Sequence, residues 1–202
     1  KKKMYLLMNY KIGILNIGVN NLKSLIFFFN KFGKTIIINK NSIAHDLKNI
    51  DLLILPGNGN FSFGSDYLYK NNMIDEIKNF KKKIFGICLG MQLLFESSEE
   101  SPNYNGIGLL KGNVKKIISK KIKLPLLGWY TSIDNLNNRN NFFFNNSFSC
   151  NPKNKEVIIQ RIDTDIEQLV SLVKYNNIYG MQFHPEKSSI NGYNLIRRIV
   201  NE

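Results

Sequence analysis

Cysteine and histidine are scarce in this chain. Its 202 residues include two cysteines, Cys88 and Cys150, and two histidines, His45 and His184. Two cysteines cannot form a disulfide framework, so we expect a reducing compartment, the cytoplasm by default and an organelle as the alternative. The four residues also lack the spacing of metal ligands, so no metal site is predicted. A phosphate-binding Gly-x-x-x-x-Gly-Lys motif is absent too, and no cofactor is expected.

Long hydrophobic runs are also missing. The apolar segments are interrupted by Lys, Asn or Gly well before the roughly 18 residues that a membrane-spanning helix needs, so no membrane association is predicted. The first ten residues lack the apolar core and cleavage site of a signal peptide. We expect one domain over residues 1–202, with residues 1–10 as an N-terminal extension.

Acidic residues are outnumbered by basic ones, 15 against 28, which gives a net charge of +13. Such a charge is typical of proteins that bind nucleic acids. The lysines, however, are scattered through every segment, and no arginine-rich stripe with interleaved aromatic residues is present. The chain is also rich in Asn, Lys, Ile, Phe and Tyr, the residues that AT-rich codons encode. We therefore attribute the charge to composition and expect no nucleic-acid partner.

The first half of the sequence alternates between apolar runs typical of strands and segments with helical spacing. Strands are predicted at residues 11–17, 35–38, 51–55 and 84–87. Helices are predicted at residues 21–32, 44–48, 64–82 and from 89 onward. This alternation predicts an α/β fold with a mostly parallel sheet and helices on both faces. In such sheets, reactive groups collect beyond the carboxyl ends of the strands.

The second half has a different pattern. Strands are predicted at residues 113–118, 156–162, 169–175 and 178–183, without long helices between them. This pattern indicates an antiparallel extension of the same sheet, followed by an amphipathic helix at residues 190–200. The asparagine-rich segment 135–146 is interpreted as a loop.

Residues 83–96 are the most informative segment. An apolar run leads to Cys88, which has a glycine two residues away on each side, Gly86 and Gly90, and a helix-forming run follows at once. This pattern is typical of a nucleophile on a sharp turn between a strand and a helix. The helix N-terminus would favour the thiolate form.

A base for Cys88 can be sought among two histidines. His184 follows the predicted strand 178–183, and Glu186 lies two residues further, where an extended backbone places it on the same side. A carboxylate at that position would orient the imidazole, as in a catalytic triad. His45 lies in a polar segment without such a neighbour, so we interpret it as a surface residue.

The Cys and His segments, Gly86-Ile87-Cys88-Leu89-Gly90-Met91-Gln92 and Gln182-Phe183-His184-Pro185-Glu186-Lys187-Ser188, resemble those of class I (triad-type) glutamine amidotransferases. Further segments resemble the glutaminase subunits of imidazole glycerol phosphate synthases, which act in histidine biosynthesis. These segments are residues 14–24, 55–61, 97–100, 106–112 and 124–129. The resemblance covers nearly the whole chain and implies a flavodoxin-like fold.

The resemblance also implies roles for individual residues. Cys88 would attack the side-chain amide of glutamine, His184 would transfer protons, and Glu186 would orient His184. An oxyanion hole would come from Gly57, Asn58, Gly59 and Leu89. Gln92, Glu100 and Ser147 would hold the substrate.

The partner that the resemblance implies is a (β/α)8-barrel cyclase, which would form a heterodimer with this chain and receive the ammonia. Lys187, Trp129 and Pro125 match positions on the docking face. The sequence departs from the family pattern at Asn58, Leu126, Tyr130, Asn146 and Phe148. Two alternatives remain: another triad glutaminase, serving pyridoxal phosphate, anthranilate or GMP synthesis, or a catalytically silent regulatory subunit.

Overall fold

The structure is a computed structural model that describes residues 10–18, 22–119, 122–164 and 169–202. The strands within these residues are β1 (Tyr10–Leu15), β2 (Gly33–Ile38), β3 (Leu52–Leu55), β4 (Lys83–Ile87), β5 (Ser97–Ser98), β6 (Gly112–Lys116), β7 (Leu126–Asp134), β8 (Arg139–Asn146), β9 (Phe148–Pro152), β10 (Ile158–Ile162), β11 (Val170–Tyr175) and β12 (Ile178–Met181). The α-helices are α1 (Leu22–Phe29), α2 (Ile43–Asp46), α3 (Phe61–Lys70), α4 (Ile74–Asn79), α5 (Leu89–Leu93) and α6 (Ser189–Asn201). The predicted extension 1–10 lies outside the described residues, except for Tyr10, which begins β1.

A nine-stranded sheet organises the chain, in the order β2-β1-β3-β4-β12-β11-β10-β7-β8. The first five strands are parallel, and the remaining four continue the sheet in antiparallel pairs. The parallel strands have the order of a flavodoxin-like sheet. The predicted α/β fold with an antiparallel extension is therefore confirmed.

Both faces of this sheet are covered. All four residues of β3 are buried, as expected for a strand between two layers of helices. Phe28 and Phe29 of α1 pack with Leu195 and Ile199 of α6 on one face. Helices α3, α4 and α5 contribute Phe61, Leu68, Ile77 and Leu93 to the core on the other face. No helix among the described residues is long and apolar enough to span a membrane.

Three details of the prediction were wrong. The segment 139–146 is a strand, since Phe142 and Phe144 are buried in the core while Phe143 between them is more exposed. The predicted helix 64–82 is two helices, because Asn72 adopts a left-handed conformation (φ 52°) that ends the first one. Strand β6 belongs to a second sheet, with β5 and β9, and not to the main one. The terminal helix is confirmed as α6.

Candidate active site

Cys88 occupies the sharp turn that the glycine pattern predicts. It follows β4 directly and precedes α5, with φ 51° and ψ −106°, a conformation that costs a non-glycine residue about 1–3 kcal/mol. Its N–H donates to the carbonyl of Met181 at 2.7 Å, so the neighbouring strand β12 fixes the turn. The side chain is 6% exposed. The backbone therefore holds the sulfur at the carboxyl edge of the sheet.

The loop after β3 packs directly against the start of α5, and glycine makes this contact feasible. A Cβ on Gly90 would come within 1.8 Å of the carbonyl oxygen of Leu55. A Cβ on Gly57 would come within 2.2 Å of the Cβ of Leu89. The loop 56–59 and the first turn of α5 are thus held next to Cys88. The first N–H groups of a helix have no intrahelical acceptor. The N–H of Leu89, the first residue of α5, is therefore available as a donor next to Cys88.

His184 and Glu186 form a buried pair. Nδ1 of His184 lies 2.8 Å from a carboxylate oxygen of Glu186, and each side chain is 5% exposed. Burial disfavours the protonated ring, but Cys88 and the Glu186 carboxylate outweigh burial and raise the pKa of His184 to about 10. Nε2 is also buried, and no atom within the described residues accepts a hydrogen bond from it. The pair has the geometry of a base and its orienting carboxylate.

Strand β8 fixes the backbone around His184. The N–H of His184 donates to the carbonyl of Phe143 at 2.8 Å. The hydroxyl of Ser188 donates to the carbonyl of His184 at 2.6 Å and accepts from the N–H of Phe143 at 3.0 Å. A Pro after His184 opens the short 3-10 turn that carries Glu186. His184 is thus held from both sides, by β12 and by β8.

A cavity of about 310 Å³ opens beside Cys88, which is at the small end of the range for ligand pockets. Its lining comprises Asn58, Gly59, Cys88, Leu89, Gln92, Glu100, Pro125, Asn145, Asn146, Ser147 and Phe148. The Glu100 carboxylate accepts a hydrogen bond of 2.8 Å from the N–H of Phe61 at the start of α3. Gln92 donates to the carbonyl of Phe148 at 3.4 Å. All three predicted substrate-binding residues therefore lie on one cavity with the nucleophile.

A second, smaller cavity lies beside His184. Gly57, Asn58, His184, Glu186 and Lys187 are among its lining residues. Its volume of about 30 Å³ suits a single water molecule. Asn58 lines both cavities, so the predicted oxyanion loop borders both the Cys88 side and the His184 side of the site.

Trp129 lies outside both cavities. It is 53% exposed on β7, and its ring packs edge-on against Phe143 at 6.3 Å. Nζ of Lys187 lies 5.6 Å from the centre of the same Phe143 ring. His45 has an exposed side chain and pairs with Asp46, in agreement with its interpretation as a surface residue.

Four residues at or near the site were not assigned a role by the sequence analysis. The carbonyl of Asn145 lies 3.7 Å from the Cys88 sulfur, and the side-chain amide of Gln182 lies 3.9 Å from it. Ser188 locks the His184 backbone as described above. Cys150 is fully buried, and burial, with the charge of Cys88, raises the pKa of its thiol well above the usual value. The pattern of a strand end preceding His184 could have drawn attention to Gln182, but the other three depend on tertiary packing.

The comparisons with known proteins agree with this geometry. Residues 14–200 match the family described as glutamine amidotransferase class-I. The chain belongs to this family. Within the class-I glutamine amidotransferases, it is 38% identical over 197 residues to the imidazole glycerol phosphate synthase subunit HisH of Pyrococcus furiosus, covering 93% of this chain and 96% of that protein. It is 36% identical over 205 residues to the HisH subunit of Prochlorococcus marinus, covering 94% and 97%.

Solved structures of glutamine amidotransferases share the fold. A crystal structure of a glutamine amidotransferase has a TM-score of 0.71 at 16% identity, covering 94% of this chain and 97% of that one. A putative GMP synthase protein from Thermoplasma acidophilum also has a TM-score of 0.71, at 18% identity, covering 96% and 93%. At these identities, the structures show the fold alone.

Only some of the departures from the family pattern line the Cys88 cavity. Leu126 is fully buried in the core, and Tyr130 packs edge-on against Phe144. Asn146 and Phe148 line the cavity. The Asn146 amide donates to the carbonyl of Phe148 at 3.0 Å, which closes this end of β8.

Proposed function

We propose that this protein is the glutaminase subunit of imidazole glycerol phosphate synthase, with a role in histidine biosynthesis. It would hydrolyse glutamine to glutamate and ammonia through a thioester on Cys88. The observation that carries this proposal is the buried pair of His184 and Glu186, which lies close enough to Cys88 for the sulfur to raise the pKa of His184, while Cys88 lines a cavity with Gln92 and Glu100. We further propose that residues 1–202 form a single class-I domain.

The first half of the reaction uses groups that already surround Cys88. The thiolate attacks the side-chain amide carbon of glutamine, and the amide oxygen becomes negatively charged. We propose that the N–H groups of Leu89 and of residues 57–59 stabilise this oxyanion. Protonated His184 donates its proton to the leaving nitrogen, so ammonia departs and a γ-glutamyl thioester remains on Cys88.

The second half restores the enzyme. Neutral His184 takes a proton from a water molecule, whose oxygen attacks the thioester carbon. The carbon–sulfur bond breaks, glutamate leaves, and the protonated imidazole again faces a thiolate. Glu186 holds the ring in one orientation through both halves and stabilises the imidazolium.

The substrate would bind through its amino-acid end. Glu100 carries a carboxylate suited to the α-ammonium group of glutamine, and Gln92 and Ser147 offer hydrogen-bonding groups on the same cavity wall. We propose these three residues as the substrate-binding set, as the family resemblance suggests.

We propose that a (β/α)8-barrel cyclase covers the outer face of β7 and forms a heterodimer with this chain. Leu127 and Trp129 are 62% and 53% exposed on this face, and both alternate with more buried residues. Leu127 pairs with Asn145, whose carbonyl lies 3.7 Å from the Cys88 sulfur. The apolar face is therefore continuous with the wall of the active site. Pro125 and Lys187 would lie at its border, and a partner there would shield the released ammonia from water.

The compartment that we propose is the cytoplasm. Both cysteines are free and buried, as expected where thiols stay reduced.

A glutaminase assay tests the proposal. Glutamate release is measured with the protein alone, with the barrel cyclase, and with the cyclase and its nucleotide ligand. We expect hydrolysis that the cyclase stimulates and that Cys88→Ala abolishes. Stimulation by a different synthase alone would identify another triad glutaminase, and inactivity under all conditions would identify a regulatory subunit. Gln160→Met serves as a control, since Gln160 is 2% exposed and distant in the sheet from the site.

A further inference from the structure

We propose that Gln182 is a catalytic residue that donates a hydrogen bond to the Cys88 sulfur and favours its thiolate form. The same amide links the sulfur to Gln92 in the substrate cavity. This inference deepens the proposed function and rests on it for its consequence, faster hydrolysis of glutamine. The state of the sulfur itself can be measured without any substrate.

The contacts of Gln182 form a continuous chain of amides. Its side chain is completely buried, and Nε2 lies 3.9 Å from the Cys88 sulfur. Its Oε1 accepts a hydrogen bond of 3.4 Å from Nε2 of Gln92. The Gln92 amide is held in turn by the carbonyl of Phe148, also at 3.4 Å.

This chain determines which end of each amide faces which neighbour. Nε2 of Gln92 lies between two oxygen acceptors, the carbonyl of Phe148 and Oε1 of Gln182. Because the oxygen of Gln182 is used there, its nitrogen faces the sulfur. The opposite orientation would place two amide nitrogens, both donors, against each other. Gln182 therefore presents N–H groups, and not a lone pair, to Cys88.

A donor at this position acts on the charge of the sulfur. Hydrogen bonds to an ionised group favour the ionised form, and burial strengthens them. His184, which follows the carboxyl end of β12 and is paired with Glu186, interacts with the sulfur, and Cys150 interacts with it from β9. Glu100 lines the same cavity as Cys88. Gln182 differs from these four groups because it does not titrate, so it supplies its stabilisation at every pH.

The chain also connects substrate binding with the nucleophile. Gln92 lines the cavity and uses its nitrogen inward, toward Gln182. A hydrogen bond from the ammonium group of glutamine to the oxygen of Gln92 would polarise the Gln92 amide and make its N–H a stronger donor. Gln182 would then become a stronger donor to Cys88, since linked hydrogen bonds reinforce one another.

The test measures the pH dependence of Cys88 alkylation by iodoacetamide, read by peptide mass. Gln182→Met and Gln182→Leu both remove the donor and differ in shape. We expect the midpoint of the profile to rise by about one pH unit in both variants, a tenfold smaller thiolate fraction below the midpoint. A less acidic thiolate is roughly threefold more nucleophilic. The alkylation rate below the midpoint therefore falls only about threefold. The midpoint is therefore the decisive quantity.

Two controls accompany the variants. Gln160→Met makes the same change at a buried glutamine that makes no side-chain hydrogen bond within the described part of the chain, and its midpoint should equal that of the wild type. Cys88→Ala should show no labelling, which confirms that Cys150 does not contribute.

Midpoints equal to the wild type in the folded Gln182 variants would overturn the inference. If Gln182→Met does not fold, Gln182→Leu decides alone, and a raised midpoint in it supports the inference. A wild-type protein that hydrolyses no glutamine, with or without the cyclase, would refute the proposed function. A raised midpoint in the variants would still support the role of Gln182 at the sulfur in that case.

Discussion

Replacing Glu186 by glutamine tests the electrostatics of the active site. The carboxylate of Glu186 lies 2.8 Å from Nδ1 of His184, and both side chains are 5% exposed. A hydrogen bond to a charged partner contributes about 1.5–3 kcal/mol, and one pKa unit corresponds to about 1.36 kcal/mol. Glu186→Gln should therefore lower the pKa of His184 from about 10 by roughly one to two units.

NMR titration of the histidine ring protons measures this shift directly. The chain has two histidines, so two sets of signals are expected, and a His45→Gln variant assigns them. Removing the sulfur as well should lower the pKa of His184 further, because burial then disfavours the protonated ring without an opposing negative charge. In Cys88→Ala/Glu186→Gln, the pKa of His184 should fall below 6.5, the ordinary value from which it is raised in the wild type. An unchanged pKa in Glu186→Gln would refute the reasoning.

The same shift makes a prediction for stability. A pKa that is raised in the folded state stabilises the protein fully below the unfolded value of about 6.5. This contribution is lost as the pH rises through the folded value of about 10. Urea unfolding should therefore show a larger loss between pH 6.5 and pH 10 in the wild type than in Glu186→Gln. Comparing the two proteins removes the effect of the other titrating groups.

Three further predictions concern the surroundings of the site. Gly90→Ala places a Cβ 1.8 Å from the Leu55 carbonyl, so urea unfolding should show a loss of about 1–3 kcal/mol or more; unchanged stability would contradict the packing. Trp129→Ala should leave basal glutamine hydrolysis intact and weaken cyclase binding by about 2 kcal/mol or more in calorimetry, whereas unaltered binding would place the interface elsewhere. Alkylation of the native protein at pH 8 should label Cys88 and spare Cys150, because burial raises the pKa of Cys150 and covers it. Labels on both the Cys88 peptide and the Cys150 peptide would contradict this prediction.

The nucleophile turn could be predicted because its signals are local. Gly86 and Gly90 on either side of Cys88 indicate a turn that only small residues permit, and the structure has this turn. The pairing of His184 with Glu186 follows from their spacing on an extended backbone. The parallel sheet of the first half follows similarly from apolar runs that alternate with helical segments, whereas the flavodoxin-like arrangement was implied only by the family resemblance.

The errors arose where tertiary packing outweighs composition. The segment that contains Phe142 and Phe144 is rich in asparagine, which favours loops, but burying two phenylalanines in the core stabilises a strand. The amide of Gln182 and the carbonyl of Asn145 reach Cys88 from β-strand ends that are distant in sequence. No pattern within one segment indicates such contacts. These contacts form only when the folded sheet places those strand ends next to Cys88.

Trapping the acyl intermediate tests the central claim most directly. The protein is mixed with glutamine and the barrel cyclase, quenched in acid within milliseconds, digested, and analysed by mass spectrometry. We predict a γ-glutamyl adduct on the peptide that contains Cys88, formed before glutamate accumulates and absent in Cys88→Ala. Glutamine hydrolysis at full rate with an unmodified Cys88 peptide at every time point would contradict the account.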